Sequence, residues 1–319
     1  MILRTYLPND GDRISEFFSK NVPYVRDRAF WIWINRMLGD DSLVAVAEKD
    51  KKIIGHYAVI PRNIYINGIK LRAGIGLHAL VEPAFRNELA IYQLSNMVYN
   101  EAKKLGLDLI YGFPNTNYRL IQEKIERWIK IATFNAFECP KELFKESQFN
   151  GGKIQSVNLL DLVQLYELNT VLEEYNCHNS IRFQNTATYW LNRYYLHPQK
   201  LYEIIKIEYD SSVAYFVTKL HLKNNHTYFH IIDFAYNNPE MLEPFLMQIF
   251  MTYYQSCDIY SVWKGDNNFE QIITKLHFNP SGFDTFLGVK LLSNKAKLHK
   301  DQLANFANWR LVMGDSDAF

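Results

Sequence analysis

Cysteine is scarce in this chain. Cys139, Cys177 and Cys257 lie far apart, with no Cys-x-x-Cys pair among them. That excludes a disulfide-stapled scaffold or a zinc ribbon and fits a reducing compartment with thiols packed as small hydrophobes. An excess of charge of one sign is also missing: Lys and Arg number 35 against 34 Asp and Glu, a net +1. No global basic field exists of the kind that drives non-specific nucleic-acid binding. No stretch approaches the roughly 20 apolar residues of a membrane span. The opening MILRTYLPND has no long apolar segment of the secretory type. Cys177-His178 stands alone, so no metal site is expected. These absences together predict a soluble, cytoplasmic protein with no metal, no membrane contact and no nucleic-acid partner.

What is present is a core. The chain has 319 residues, of which 48% are hydrophobic and 15% aromatic, enough for one large domain or two ordinary ones. Residues 1 to 8 read as an edge strand, and Asn9 to Asp12 cap a helix from about Arg13 to Lys20. Leu43 to Glu48 and Ile53 to Ile60 read as strands joined by a charged turn. Asn67-Gly68 between apolar runs signals a hairpin. The stretch His78 to Asn117 then organises the rest. The apolar run Ala73 to Val81 ends at Glu82-Pro83, and a polar turn carries Arg86-Asn87-Glu88. A helical pattern runs to Lys104, and Gly106 stops it. A second apolar run, Leu107 to Phe113, ends at Pro114-Asn115. This is one βαβ crossover with two parallel strands. The turn sets the free N–H groups of a helix N-terminus beside an arginine, a pairing that suits a pyrophosphate.

The second half repeats the first. Trp33-Ile34-Asn35-Arg36 returns as Trp190-Leu191-Asn192-Arg193, each copy ahead of a pair of strands. Asn117 to Lys124 is echoed by Asn268 to Lys275. The order strand, helix, strand recurs between these markers. Two tandem copies of one α/β domain are therefore expected: residues 1–140, a Pro- and Gly-containing linker at 141–156, and residues 157–319.

At Val81-Glu82-Pro83-Ala84-Phe85-Arg86-Asn87-Glu88-Leu89-Ala90-Ile91 the chain resembles the V-x-P-x-[YF]-R-x-x-G-x-G/A signature of the GNAT superfamily of acyl-CoA-dependent N-acyltransferases. Asn115-Thr116-Asn117 through Lys124 and Trp128 is similar to that family's element after its fifth strand. The resemblance implies an α/β (α+β) fold of two tandem GNAT-like domains, each a mixed, mostly antiparallel sheet flanked by helices. It also implies acyl-CoA as co-substrate. The backbone at Leu80 and Val81 would pair with the pantetheine arm. The turn at Arg86, Asn87, Leu89, Ala90 and Ile91 would hold the pyrophosphate, and Asn115 and Asn117 would bond the arm. The family's glycines fall on Leu89 and Ile91, and its thiol-protonating tyrosine on Gln122. The tandem layout resembles sugar N-acyltransferases of bacterial surface-polysaccharide synthesis, which acylate a nucleotide-linked amino sugar such as a dTDP-3-amino-3,6-dideoxyhexose. Acetyl and 3-hydroxybutanoyl are the donors implied. Two other classes stay open: a tandem-GNAT aminoacyl transferase using charged tRNA, and a non-catalytic nucleotide-sugar or glycan binder.

Individual residues carry alternatives. His78 lies where an attacking amine should arrive, and a neutral imidazole can take its proton. His56 on the preceding strand is its rival, and both also read as hydrogen-bonded sheet histidines. Glu82 shares a face with His78 if the strand stays regular. Tyr118 is the candidate proton donor to the thiolate. Asn117 reads equally as an N-cap. The second copy has Asn237-Asn238-Pro239-Glu240 in place of the arginine turn, so it is expected to lack a CoA site and to hold the acceptor. His230, Asp233, Trp263 and Lys264 are candidates there, and Tyr24, Arg26 and Arg28 for closing over it. Each also reads as an ordinary structural or surface residue. A monomer or a homodimer is compatible with a fused pair.

Overall fold

The computed structural model of the chain describes residues 1–22, 27, 29–30, 33–34, 43–88, 90–144, 151–175 and 181–316. Two compact units divide it. The first is Met1–Thr133 with Phe286–Ala307, the second Phe134–Thr285 with Asn308–Phe319.

The first unit opens with strand β1 (Ile2–Thr5) and helix α1 (Asp10–Asn21). Asn9 makes no side-chain cap. Asp10 does the local work instead: it accepts the Leu7 N–H at 2.8 Å and both arms of Arg4 at 2.6 and 2.8 Å. Arg13 bonds it too, and Glu48 bonds Arg4. Burial opposes ionisation of Asp10, but Arg4, the Leu7 N–H and Arg13 outweigh it and hold the carboxyl below its usual range. Its stabilising contribution is therefore full above the unfolded value of about 3.9 and is lost as pH falls through the depressed one. Asp10→Asn should cost about 2–3 kcal/mol at neutral pH. The urea midpoints of variant and parent should converge as the pH is lowered, and a constant gap would refute the assignment.

Strands β2 (Leu43–Lys49) and β3 (Lys52–Pro61) follow, then the short hairpin β4 (Ile64–Ile66) and β5 (Ile69–Leu71), and β6 (Ala73–Val81). β3 is buried from Ile53 to Ile60 because helices cover both of its faces. Helix α2 (Ala90–Lys104) packs its Leu94, Val98, Tyr99 and Ala102 stripe on β2, β3 and β6. β7 (Leu109–Gly112) and helix α3 (Thr116–Lys124) complete the crossover. β1, β2, β3 and β6 pair antiparallel in sequence, and β6 pairs parallel with β7.

In the second unit, β9 (Lys153–Ser156) pairs antiparallel with β11 (Glu203–Tyr209), β11 with β12 (Ser212–Lys223), and β12 with β13 (His226–Tyr236). β10 (Ile181–Phe183) lies between helix α4 (Leu162–Tyr175) and β11. β13 pairs parallel with β14 (Ile259–Val262) after helix α5 (Leu242–Thr252), and helix α6 (Asn267–Lys275) follows. Both units thus carry a mixed, mostly antiparallel sheet flanked by helices. Trp33 and Trp190, the repeat markers, are both buried.

The units do not follow the expected boundaries. β8 (Ile129–Pro140) begins in the first unit and ends in the second, where Phe137–Pro140 pair antiparallel with β14. β15 (Asn279–Leu291) begins in the second and ends in the first, where Gly288–Leu291 pair antiparallel with β7. Each sheet is finished by a strand from the other half of the sequence. The stretch read as a linker, 141–156, holds a 3-10 turn (Lys141–Phe144) and strand β9. A sequence repeat fixes the order of elements but leaves no mark of such an exchange. No helix among the described residues is long and apolar enough to cross a membrane.

Candidate functional site

In the first unit β6 and β7 pair over only three residues, Ala73 to Ile75 with Leu109 to Tyr111. β6 then runs on to Val81 with no ladder partner on that side among the described residues. Its backbone N–H and C=O groups on this edge face a gap and can bond an extended amide chain, as an added strand would. Gly76 marks where the gap opens. A Cβ there would sit 2.7 Å from the Tyr57 Oη, so no larger residue fits.

The strand is not regular beyond Gly76. His56 pairs with Leu80 and Ala58 with Leu77, so His78 and Ala79 together oppose Tyr57 in a β-bulge. His78 takes φ +55°, a left-handed backbone that β-strand residues avoid. Alternation therefore cannot place Glu82 on the face of His78, and that expectation is corrected. Glu82 lies past the strand end, its N–H on Ile54 O and its carbonyl receiving the Phe85 N–H. His56 is wholly buried, with Nδ1 2.9 Å from the His78 carbonyl. A carbonyl only accepts, so Nδ1 carries the proton and His56 holds the bulge in place. Phe18 meets both imidazoles edge-on, and Phe30 lies against His78. Of the two histidines, His78 is the half-buried one.

Beyond β6 the expected turn is a 3-10 helix, Pro83–Glu88, leading into α2. Arg86 is exposed; its Nε donates to Val81 O at 3.1 Å. Its two Nη groups make no hydrogen bond among the described residues and remain available for an anion. Ala90 is buried, and Ile91 packs against the core under α2, so a side chain at the second glycine position points inward. Leu89 and the Asn87 side chain lie outside the described residues, as do Tyr24, Arg26 and Arg28. Leu80 is half-buried on the open edge, while Val81 is buried in the α2 core. Asn115 caps α3, its Oδ1 accepting the Tyr118 N–H at 2.9 Å. The cap thus falls on Asn115, and Asn117 is exposed in the first turn. Gln122 is buried beside Trp128 and Phe286 in a small cleft under α3.

Tyr118 does not stand alone. Its hydroxyl lies 3.1 Å from Ser95 Oγ on α2 and 3.3 Å from Glu126 Oε1. Glu126 also accepts from the Tyr99 hydroxyl, and Tyr99 accepts the Trp128 indole N–H at 2.9 Å. Burial pushes the Tyr118 hydroxyl well above its usual range, with Tyr57 and Glu126 adding to the effect. The sequence reading missed Glu126, Tyr99 and Ser95. Glu126 sits among Glu123, Lys124 and Arg127, where it reads as one more surface charge.

The second unit repeats the geometry and then closes it. β13 and β14 also pair over three residues, Tyr228 to His230 with Ile259 to Ser261, and β13 carries a bulge at Ile232. Here residues 310 and 311 span the gap. Arg310 Nη2 bonds Asp233 Oδ1 at 3.0 Å and Phe234 O at 2.9 Å. Leu311 exchanges backbone bonds with Gly265. Gly314 lies against Tyr194, whose hydroxyl a Cβ would meet at 2.0 Å. Asp266, at the repeat position of Asn115, is a buried cap that also accepts from Tyr175 and Tyr236. The four acceptor candidates belong to this packing. Asp233 is fully buried on Arg310, Asn185 and Tyr194. Lys264 is buried and paired with Glu270. Trp263 is buried edge-on against Phe134. His230 is 7% exposed, and burial with His221, Lys219 and Lys223 pushes its imidazole down to about 3. No group of His, Cys, Asp and Glu among the described residues is placed to hold a metal ion.

No protein-family model matches the sequence. No curated protein matches it either. Solved structures do match. One is a conserved protein of unknown function from Enterococcus faecalis V583, described as "Probable N-Acyltransferase" (TM-score 0.69, 10% identity, 94% of this chain and 74% of that one). Another is a GCN5-related N-acetyltransferase from Kribbella flavida (TM-score 0.65, 9% identity, 91% and 72%). A third is Saccharomyces cerevisiae N-myristoyltransferase with bound myristoyl-CoA (TM-score 0.62, 10% identity, 90% and 77%). On strand order, the open β6–β7 edge and these likenesses, the chain has the fold of the GCN5-related N-acetyltransferases, present twice.

Proposed function

We propose that the chain is an acyl-CoA-dependent N-acyltransferase with one donor site, in the first unit. The observation that supports it most is the contrast between the copies: among the described residues the β6–β7 gap carries a backbone edge with no ladder partner and an arginine whose Nη groups make no hydrogen bond, while the β13–β14 gap is filled by Arg310. The pantetheine amides would bond the β6 edge at Leu80, with Asn115 and Asn117 at the far side of the gap. The pyrophosphate would sit at the Arg86 turn and the start of α2, at Asn87, Leu89, Ala90 and Ile91. The myristoyl-CoA held by the yeast neighbour of similar fold supports this donor class.

The amine would approach on the α1 face, where Phe18, Phe30 and His78 meet. His78 takes its proton directly, with Glu82 left to act through a water. The nitrogen attacks the thioester carbonyl, and backbone N–H groups of β6 stabilise the developing oxyanion. The C–S bond breaks, and Tyr118 protonates the departing thiolate. The acceptor we favour is the amine of a nucleotide-linked amino sugar such as a dTDP-3-amino-3,6-dideoxyhexose, in surface-polysaccharide synthesis. Acetyl or 3-hydroxybutanoyl is the group transferred. With His230, Asp233, Trp263 and Lys264 committed to internal packing, the acceptor pocket centres on the first unit.

Calorimetry with CoA should show one site per chain. Arg86→Ala should weaken it about 10- to 100-fold, the loss of a charge-assisted pair. Two equivalent sites, or no binding by the parent, would refute the reading. A panel of nucleotide amino sugars assayed for thiol release then identifies the acceptor.

A further inference from the structure

One face of the second unit's sheet gathers cations that the donor site does not use. From Thr218 to Lys223, β12 pairs regularly with β13: Lys219 stands opposite His230, His221 opposite Tyr228 and Lys223 opposite His226. Cross-strand partners share a face, and every second residue along β12 returns to it. The row at Lys219 continues through β14 and β8, because His230 pairs with Ser261 and Ser261 with Glu138. The intervening residues turn to the other face, where Phe229 and Tyr260 pack on Tyr253 and Phe250 at the end of α5. The face of Lys219 is the open one. His221, Lys223 and His226 are exposed there, and Lys219 and Tyr228 are half-buried.

The cations on this face lack counter-charges. Among the described residues, the side chains of Lys219, His221 and Lys223 make no ion pair and no hydrogen bond. Lys219 Nζ lies 5.7 Å from the centre of the Tyr202 ring and Lys223 Nζ 4.3 Å from that of Phe283. Burial disfavours the Lys219 charge, and the buried guanidinium of Arg193 adds repulsion. His221 is pushed down by burial first, then by Lys219 and Lys223. Positive charge held at half-buried positions with no acid beside it costs stability, and a bound anion offsets that cost. Rings line the same face. Tyr228 and His230 are stacked, with centroids 5.8 Å apart and planes 15° apart, and His221 lies 6.0 Å from His230. The Tyr228 hydroxyl makes no hydrogen bond among the described residues.

We infer that this face of β12 and β13 binds a nucleoside diphosphate, its phosphates on Lys219, His221 and Lys223 and its base on the Tyr228 ring. A bare phosphate would use the cations alone; the rings beside them are what select an attached base. Residues two apart on β12 stand about 7 Å from each other, and β13 runs about 5 Å away, so cations and rings are within reach of one small ligand. Glu138, at the far end of the row, gives the ligand a direction, since a carboxylate repels phosphate and accepts a base N–H. The net charge of +1 supplies no wider basic field for a nucleic-acid strand. Every residue of the site belongs to the second unit, and the inference does not depend on the acyl-CoA reading.

Calorimetry on full-length Arg86→Ala, whose donor gap has lost its anion grip, tests the site with thymidine diphosphate and inorganic pyrophosphate as probes. Thymidine diphosphate should bind once per chain, about 10-fold more tightly than pyrophosphate, the increment of one stacked base. Adding Lys219→Gln should weaken both probes about 10-fold. Adding Tyr228→Leu should remove the difference between the probes and leave pyrophosphate binding unchanged. Lys219→Gln deletes an unpaired, half-buried charge, so its melting temperature should not fall, which separates lost binding from lost folding. No binding by Arg86→Ala overturns the inference, as do equal affinities for the two probes or affinities that Lys219→Gln leaves unchanged. A thymidine oligonucleotide that binds more tightly than the diphosphate, and loses that affinity in the same variants, overturns it in favour of a nucleic-acid strand. Failure of the acyl-CoA reading would look different: the parent would not bind CoA, and thymidine diphosphate would still report on Lys219 and Tyr228.

Discussion

Arg310→Ala is expected to lower the stability of the second unit by about 3–5 kcal/mol, the usual consequence of leaving a buried partner charge unpaired. Arg310 is 3% exposed and Asp233 is fully buried, so water cannot replace the missing guanidinium. The loss extends beyond one ion pair. Arg310 Nε also donates to Tyr175 Oη at 2.9 Å, and its plane lies over the Tyr175 and Phe234 rings. Urea titration followed by tryptophan fluorescence reads this well, because Trp309 is the neighbouring residue and is buried. Arg310→Lys should recover only part of the loss, since a lysine cannot reach Asp233, Phe234 O and Tyr175 together. The double variant Asp233→Asn, Arg310→Met should be closer to the parent than Arg310→Ala alone, because no orphaned charge remains. A single-variant effect under about 1 kcal/mol would show that the seal does not depend on this arginine.

His78→Asn should lower kcat by about 10²- to 10⁴-fold, the range set by loss of a positioned general base. Asparagine is the informative substitution because it tolerates φ +55° better than most side chains. The bulge, and with it donor binding, should survive. KM for the acyl donor should stay close to that of the parent. His78→Gly carries the complementary expectation. It should be equally inactive yet more stable by about 1 kcal/mol, because a left-handed backbone away from glycine stores strain of that order. Steady-state kinetics and thermal melts on the two variants separate the contributions. Full activity in His78→Asn would move the proton transfer to Glu82, to water, or to no dedicated group.

Much of the first unit's frame is visible in the chain itself. The apolar runs on either side of α2, the Asn67-Gly68 hairpin and the Gly106 stop are local signals. Local signals survive folding because each is set by the backbone of a few residues. The fold class followed from the Arg86 turn and the repeat together. The bulge at His78 was hidden: nothing in Gly-Leu-His-Ala-Leu breaks alternation, so Glu82 was placed by a regularity that the strand does not keep. Glu126 was hidden for another reason. A carboxylate among other charges looks solvated, and only tertiary packing of α2, α3 and β8 buries it. Asp233 and Lys264 show the converse. A lone acid and base in a βαβ echo look like ligand groups, but their partners, Arg310 and Glu270, are supplied by packing that composition does not reveal.

The exchange of β8 and β15 has a bearing on how the chain is made. A ribosome delivers residues in order, and the sheet of the first unit lacks its β15 strand until Gly288–Leu291 have emerged. Until then β7 presents an unpaired edge, the kind of surface that invites association with other chains. Contacts between β7 and β15 also join residues far apart in sequence, which slows folding because the long loop must close first. Gene fragments cut at the apparent midpoint of the repeat would each yield a sheet with a missing strand.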